Sequence, residues 1–64
     1  MNPGTLLCLK SAYRGRGHPD DGIIGIVLED SGRDYRVLFT DLGGGLSIER
    51  VKVGEMMTYY EEIT

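Results

Sequence analysis

Residues 35–40 read YRVLFT, and their alternation decides the fold class. The first, third and fifth residues are apolar and share one face of an extended strand, so Tyr35 and Phe39 are expected in the core. Residues 23–29 (IIGIVLE) form a short run rich in β-branched side chains, which favours a buried strand with a bulge or bend at Gly25. The five residues between the two runs (DSGRD) are turn formers. The sequence therefore predicts a β-hairpin at its centre.

Further strands are expected on both sides of this hairpin. Residues 5–10 (TLLCLK) contain no strand breaker and place apolar side chains on both faces, which predicts a first strand covered on both sides. Residues 46–51 (LSIERV) alternate again, and we expect Leu46 and Ile48 to face the core. These two runs bring the number of predicted strands to four.

The tail, residues 53–63, fits two patterns. Its apolar residues follow helical spacing, whereas a glycine near its start and the run Thr58, Tyr59, Tyr60 favour a strand. We expect one helical turn followed by a fifth strand. Residues 11–22 are rich in turn formers and predict a loop of about a dozen residues, a length that is often functional.

Chain length limits the protein to one domain, residues 1–64. A chain of 64 residues and 7.1 kDa buries little surface, and Cys8 is its only cysteine, so no internal disulfide can stabilise it. Small domains without such a staple often depend on association. We therefore expect a partner, either another protein or further copies of this chain in a homo-oligomer.

Charge and hydropathy exclude some classes of partner. The net charge of −3 and the sequence pI near 4.9 disfavour nucleic acid as the main partner. No apolar run reaches the length of about 18 residues that would span a bilayer, and no signal peptide is evident. The sequence predicts a soluble, intracellular protein that does not bind membranes.

The predicted order of elements is that of an SH3-like β-barrel. It has five short strands, a long loop after the first strand and a turn before the last. The resemblance is carried by residues 3–7, 25–29 and 35–39 and by the closing segment 53–60. The chain resembles small, uncharacterised SH3-like barrel proteins of tailed bacteriophages. The resemblance implies an all-β, five-stranded SH3-like barrel with a short helical turn before the last strand. It also implies a viral structural (virion) protein or adaptor in the host cytoplasm or the virion.

The long loop supplies the candidate binding residues. Residues 13–18 (YRGRGH) combine aromatic and guanidinium groups, which are common anchors of protein interfaces. The tail adds two tyrosines beside Glu61 and Glu62. The candidate protein-binding residues are Tyr13, Arg14, Arg16, His18, Tyr59 and Tyr60. The alternative is a small barrel associated with nucleic acid or transcription that modifies host machinery, because the same loop could stack on bases and contact phosphate. Proline-rich peptide binding is not expected, since the loop is basic and the chain lacks Trp.

No catalytic residue, metal ligand or cofactor is predicted. Cys8, His18 and the acids at 20 and 21 are residue types of a nucleophilic site, but Cys8 lies within an apolar strand and is expected to be a buried thiol. One histidine with two carboxylates offers too few ligands for a tight metal site. The glycines at 43–45 lack the lysine and helix of a phosphate-binding loop. The expectation is a non-catalytic protein.

Overall fold

The computed structural model describes residues 1–17, 22–40 and 44–63, and these form one antiparallel sheet with a short helix. The strands follow the order β4-β3-β2-β1-β5 across the sheet. A 3₁₀ turn at Ser11–Tyr13 follows the first strand. The strands are β1 (Leu6–Leu9), β2 (Ile24–Asp30), β3 (Asp34–Thr40), β4 (Leu46–Lys52) and β5 (Tyr60–Glu62), and the helix is α1 (Val53–Tyr59).

The predicted central hairpin is confirmed as β2 and β3. Val27 pairs with Val37, and the two strands stay in register to the open end of the hairpin. The turn closes because the carboxylate of Asp30 accepts a hydrogen bond from the Gly32 amide at 2.8 Å. Gly32 adopts a φ of 87°, which glycine tolerates without strain.

The prediction for the tail is confirmed, whereas the predicted bulge at Gly25 lies elsewhere in β2. The tail does form a helix followed by a fifth strand, although α1 has seven residues rather than the single turn expected. The bulge, however, does not lie at Gly25, because the register shift falls between Val27 and Glu29 and leaves Leu28 as the extra residue. Gly25 serves packing instead: a Cβ there would lie 3.0 Å from side-chain atoms of Phe39 and Val37.

The core lies between α1 and one face of the sheet, which we call the inner face. Met56 of α1 is fully buried there, and the rings of Phe39 and Tyr60 lie 5.8 Å apart. The expected burial of Tyr35 and Phe39 is confirmed. The core cluster consists of Leu7, Val27, Tyr35, Val37, Phe39, Val51, Met56 and Tyr60.

The sheet is open rather than closed into a barrel, with β4 and β5 as its two edges. Two predictions about burial are wrong because the outer face of the sheet, opposite the core, is exposed to solvent. The first strand is covered on one side only, since Leu7 is buried whereas Leu6 is 42% exposed. Leu46 and Ile48 face away from the core, because each pairs with a β3 residue of the opposite, outer face.

Candidate interaction surface

The outer face of the sheet carries two rows of mostly aliphatic side chains. Directly paired residues of neighbouring strands project from the same face, so the pairing register defines each row. The first row crosses four strands and consists of Leu6, Ile26, Leu38 and Ile48. The second row consists of Cys8, Ile24, Thr40 and Leu46. The four residues of each row are uncharged, but the second row continues onto β5 at Glu61, the partner of Cys8.

These rows are uncovered in the monomer. Leu46 is 69% exposed and Ile48 56%, whereas Ile26 and Leu38 are half-buried among their neighbours. Ile63, whose amide donates to the Leu6 carbonyl at 2.9 Å, adds a further exposed aliphatic side chain beside the first row. Together they expose on the order of 500 Å² of aliphatic surface, a size that on monomeric proteins often marks an interaction site.

Charged residues border the rows at one end. Arg36 and Arg50 lie directly opposite each other on β3 and β4. The guanidinium of Arg36 lies 3.9 Å from the carboxylate of Glu29, and that of Arg50 lies 3.8 Å from the carboxylate of Asp34. The outer face is therefore charged near the central turn. It is charged again at the β5 end of the second row, where Glu61 pairs with Arg14, and the rows between these places are uncharged.

The loop after β1 is fastened to the sheet by Arg14. Its Nε donates to the Leu9 carbonyl at 2.8 Å, and its Nη2 forms an ion pair with Glu61, which is paired with Cys8 across β1 and β5. The same Nη2 lies 3.5 Å from the Cys8 sulfur. Arg14 therefore joins the end of β1 to β5, and its guanidinium is engaged within the chain.

The remaining predicted binding residues do not form one patch. Tyr13 packs against Tyr59 of α1, with ring centroids 5.2 Å apart, and both rings are partly accessible. Arg16 is exposed in the turn that follows. Tyr60 belongs to the core at 8% exposure, which corrects its placement on a surface patch. His18 lies outside the described residues.

Cys8 occupies the outer face rather than the core, and it is half-buried beside Arg14. This corrects the expectation of a buried thiol, since the alternation of β1 sends Leu7 and Leu9 inward and Cys8 outward. The other residues of the nucleophilic set, His18, Asp20 and Asp21, lie outside the described residues, as does Gly43. Among residues 1–17, 22–40 and 44–63, no group of three or more potential metal ligands occurs.

The exposed apolar outer face was not predicted from the sequence, although a pattern that indicates it is present in two strands. The run of residues 5–10 is apolar at both odd and even positions, and residues 23–28 share that property. A strand of this kind needs cover on both faces. In the described part of this chain, α1 covers the inner face and no element covers the outer face.

Comparison with protein-family models, with curated proteins and with solved structures found no match. Within the described part of the chain, no helix is long and apolar enough to cross a bilayer.

Proposed function

We propose that this chain is a non-catalytic protein-interaction module that binds its partner through the outer face of the sheet. The observation that supports this most is the pair of uncharged aliphatic rows left exposed by a sheet whose other face is packed. An exposed apolar patch of this size costs solubility, so its retention suits a surface that is covered on association.

The finer assignment is an SH3-like protein of a tailed phage, acting as a virion component or as an adaptor in the host cytoplasm. The strand order, with a helical segment between the fourth and fifth strands, supports the SH3-like part. The phage part rests on the resemblance carried by residues 25–29 and 35–39. A chain that is completed by assembly agrees with such a structural role.

The loop and helix provide a secondary contact surface. Tyr13, Arg16 and Tyr59 remain accessible there, and Tyr and Arg are the residue types most enriched at binding hot spots. We propose that these residues form a second contact, separate from the outer face, because α1 packs on the inner face. Arg14 instead holds the loop in place through Leu9 and Glu61.

The test uses adjacent residues of β4 that face opposite ways. Affinity-tagged wild-type chain, Ile48→Glu and Ser47→Glu are produced in host cells, and proteins cross-linked to each are identified, further copies of the chain included. Both variants add one negative charge, but only Ile48 lies in the aliphatic rows. We expect Ser47→Glu to retain the wild-type partner and Ile48→Glu to lose it. Equal recovery with both variants would exclude the outer face.

Binding to nucleic acid is measured separately with single-stranded and duplex oligonucleotides across a salt series. The proposal predicts no binding at moderate ionic strength, because the chain carries a net charge of −3 and Arg14 is paired with Glu61. Tight binding that weakens steeply with salt and is lost in Arg16→Glu would favour the transcription-associated alternative instead.

A further inference from the structure

We propose that the occupant of the outer face is a second copy of this chain, and that two copies pack these faces together as a β-sandwich. This inference deepens the proposed function and rests on it, since it names the partner of the same surface. Two sheets pack face to face at a separation of about 10 Å when each contributes an apolar face, as both copies would here.

The area of the outer face suits such a pairing. Each copy contributes on the order of 500 Å² of aliphatic surface, so a face-to-face pair buries about 1,000 Å² before its polar border is counted. A biological interface buries at least about 1,000 Å², and stable ones bury about 1,200–2,000 Å². The aliphatic rows alone therefore reach the lower limit, and the polar border supplies the remaining area of a dimer interface.

The charge pattern favours a like partner. In a two-fold symmetric interface the same patch meets itself, so any charge near the axis would face its own copy. From Leu6 to Ile48 and from Cys8 to Leu46 the rows carry no charge to produce that repulsion. Glu61, at the β5 end of the second row, forms an ion pair with Arg14 within the chain, so this end adds no unbalanced charge. The charged residues Glu29, Arg36 and Arg50 lie at one end, where a polar border belongs.

The size of the chain supplies a third argument. A domain of 64 residues with a single cysteine has no internal disulfide to offset the entropy of ordering the chain. Its core occupies one face of the sheet only. Pairing the outer faces would give β1 and β2 apolar cover on both sides, which is the surrounding that their sequences predict.

The experiment measures mass by sedimentation equilibrium over a concentration series that spans low micromolar to millimolar chain. The samples are wild type, Ile48→Glu, Leu46→Glu and the control Met57→Glu. Met57 is an exposed apolar residue at 64% on α1, so its substitution makes the same chemical change away from the outer face. Circular dichroism of each variant checks that the sheet is intact.

We expect the wild type and Met57→Glu to approach twice the 7.1 kDa chain mass, with dissociation constants within about threefold of each other. Ile48→Glu and Leu46→Glu are expected to weaken association at least a hundredfold while remaining folded. Because both residues are more than half exposed on an edge strand, at least one variant should retain the fold.

Three results would overturn the proposal: a wild-type chain that is monomeric throughout, equal weakening by Met57→Glu, or undiminished association of both outer-face variants. A monomeric wild type that still captures another protein in an Ile48-dependent way would remove the second copy and leave the proposed function standing. A monomeric wild type without any such capture would remove both.

Discussion

Leu6 and Leu7 are neighbours in β1 and chemically identical, yet Leu7 is 0% exposed and Leu6 is 42% exposed. The same contrast extends across the sheet, where Val27 and Val37 belong to the core cluster while Ile24 and Ile48 are exposed to solvent. The inner face is covered because the chain after β4 turns into a helix that places Met56 against it. The comparison shows that the covering element, rather than hydrophobicity along the strands, decides which face becomes the core.

The largest expected effect tests that contrast directly. Leu7→Ala removes a fully buried side chain and leaves a cavity, and we expect a loss of about 2–5 kcal/mol in the free energy of unfolding. For so small a domain this approaches the whole stability. The matched variant is Leu6→Ala, for which less than about 1 kcal/mol is expected in dilute, monomeric protein. Urea unfolding gives both values, and equal losses would erase the distinction between the faces.

The sequence predicts the positions of the strands well, but it predicts poorly which face of each strand is buried. The alternation of residues 35–40 correctly placed Tyr35 and Phe39 in the core. Leu46 and Ile48 alternate just as clearly but face solvent, because alternation specifies that two faces differ without specifying which one is covered. The face is chosen by the path of α1 across the sheet, a long-range property that no window of sequence contains.

The candidate site was predicted only in part for a similar reason. Tyr13 and Tyr59 were identified by residue type, and the structure brings their rings together. Arg14 was expected to be available for a partner, but it pairs with Glu61, which lies 47 positions away in the chain. Tyr60 enters the core because β5 places it opposite Leu9 on the inner face.

The second prediction concerns two glycines. Gly25→Ala places a methyl group 3.0 Å from atoms of Phe39 and Val37, and we expect a destabilisation of about 1–3 kcal/mol from this overpacking. Gly54→Ala in α1 meets no atom within 4 Å and should stabilise the protein by about 0.5–1 kcal/mol through helix propensity. Thermal melts of the two variants should therefore shift in opposite directions. A shift of the same sign in both would contradict the close packing assigned to the inner face.

The third prediction tests the contact between the loop and α1. A double-mutant cycle with Tyr13→Ala and Tyr59→Ala should give a coupling free energy of about 0.5–1.5 kcal/mol, the range for a ring pair in contact. Tyr13→Phe, which keeps the ring, should retain stability close to that of the wild type. Denaturant unfolding measures each corner of the cycle. Additive losses would show that the rings do not support each other in solution.

The smallest effect is expected where the loop meets the outer face. Arg14 and Glu61 are both partly exposed, so a cycle with Arg14→Met and Glu61→Gln should give a coupling of about 0.2–1 kcal/mol. That coupling should decline when the sodium chloride concentration is raised toward 1 M, because exposed ion pairs are screened. The coupling between Tyr13 and Tyr59 should persist in the same salt. A salt-independent Arg14–Glu61 coupling would indicate that the hydrogen bonds, rather than charge, connect the loop to β5.

The bulge at Leu28 has a consequence for how this sequence can tolerate insertions and deletions. By leaving Leu28 unpaired, it lets Glu29 pair with Arg36 and Asp30 pair with Tyr35. Without the bulge, Leu28 would pair with Arg36 and Glu29 would move opposite Tyr35, on the side of the core. Deleting Leu28 would instead keep Glu29 opposite Arg36 and leave every other pair of the hairpin in place. A one-residue deletion at the bulge therefore leaves each carboxylate on the face that it now occupies, and β2 can be shortened at this position without exchanging its two faces.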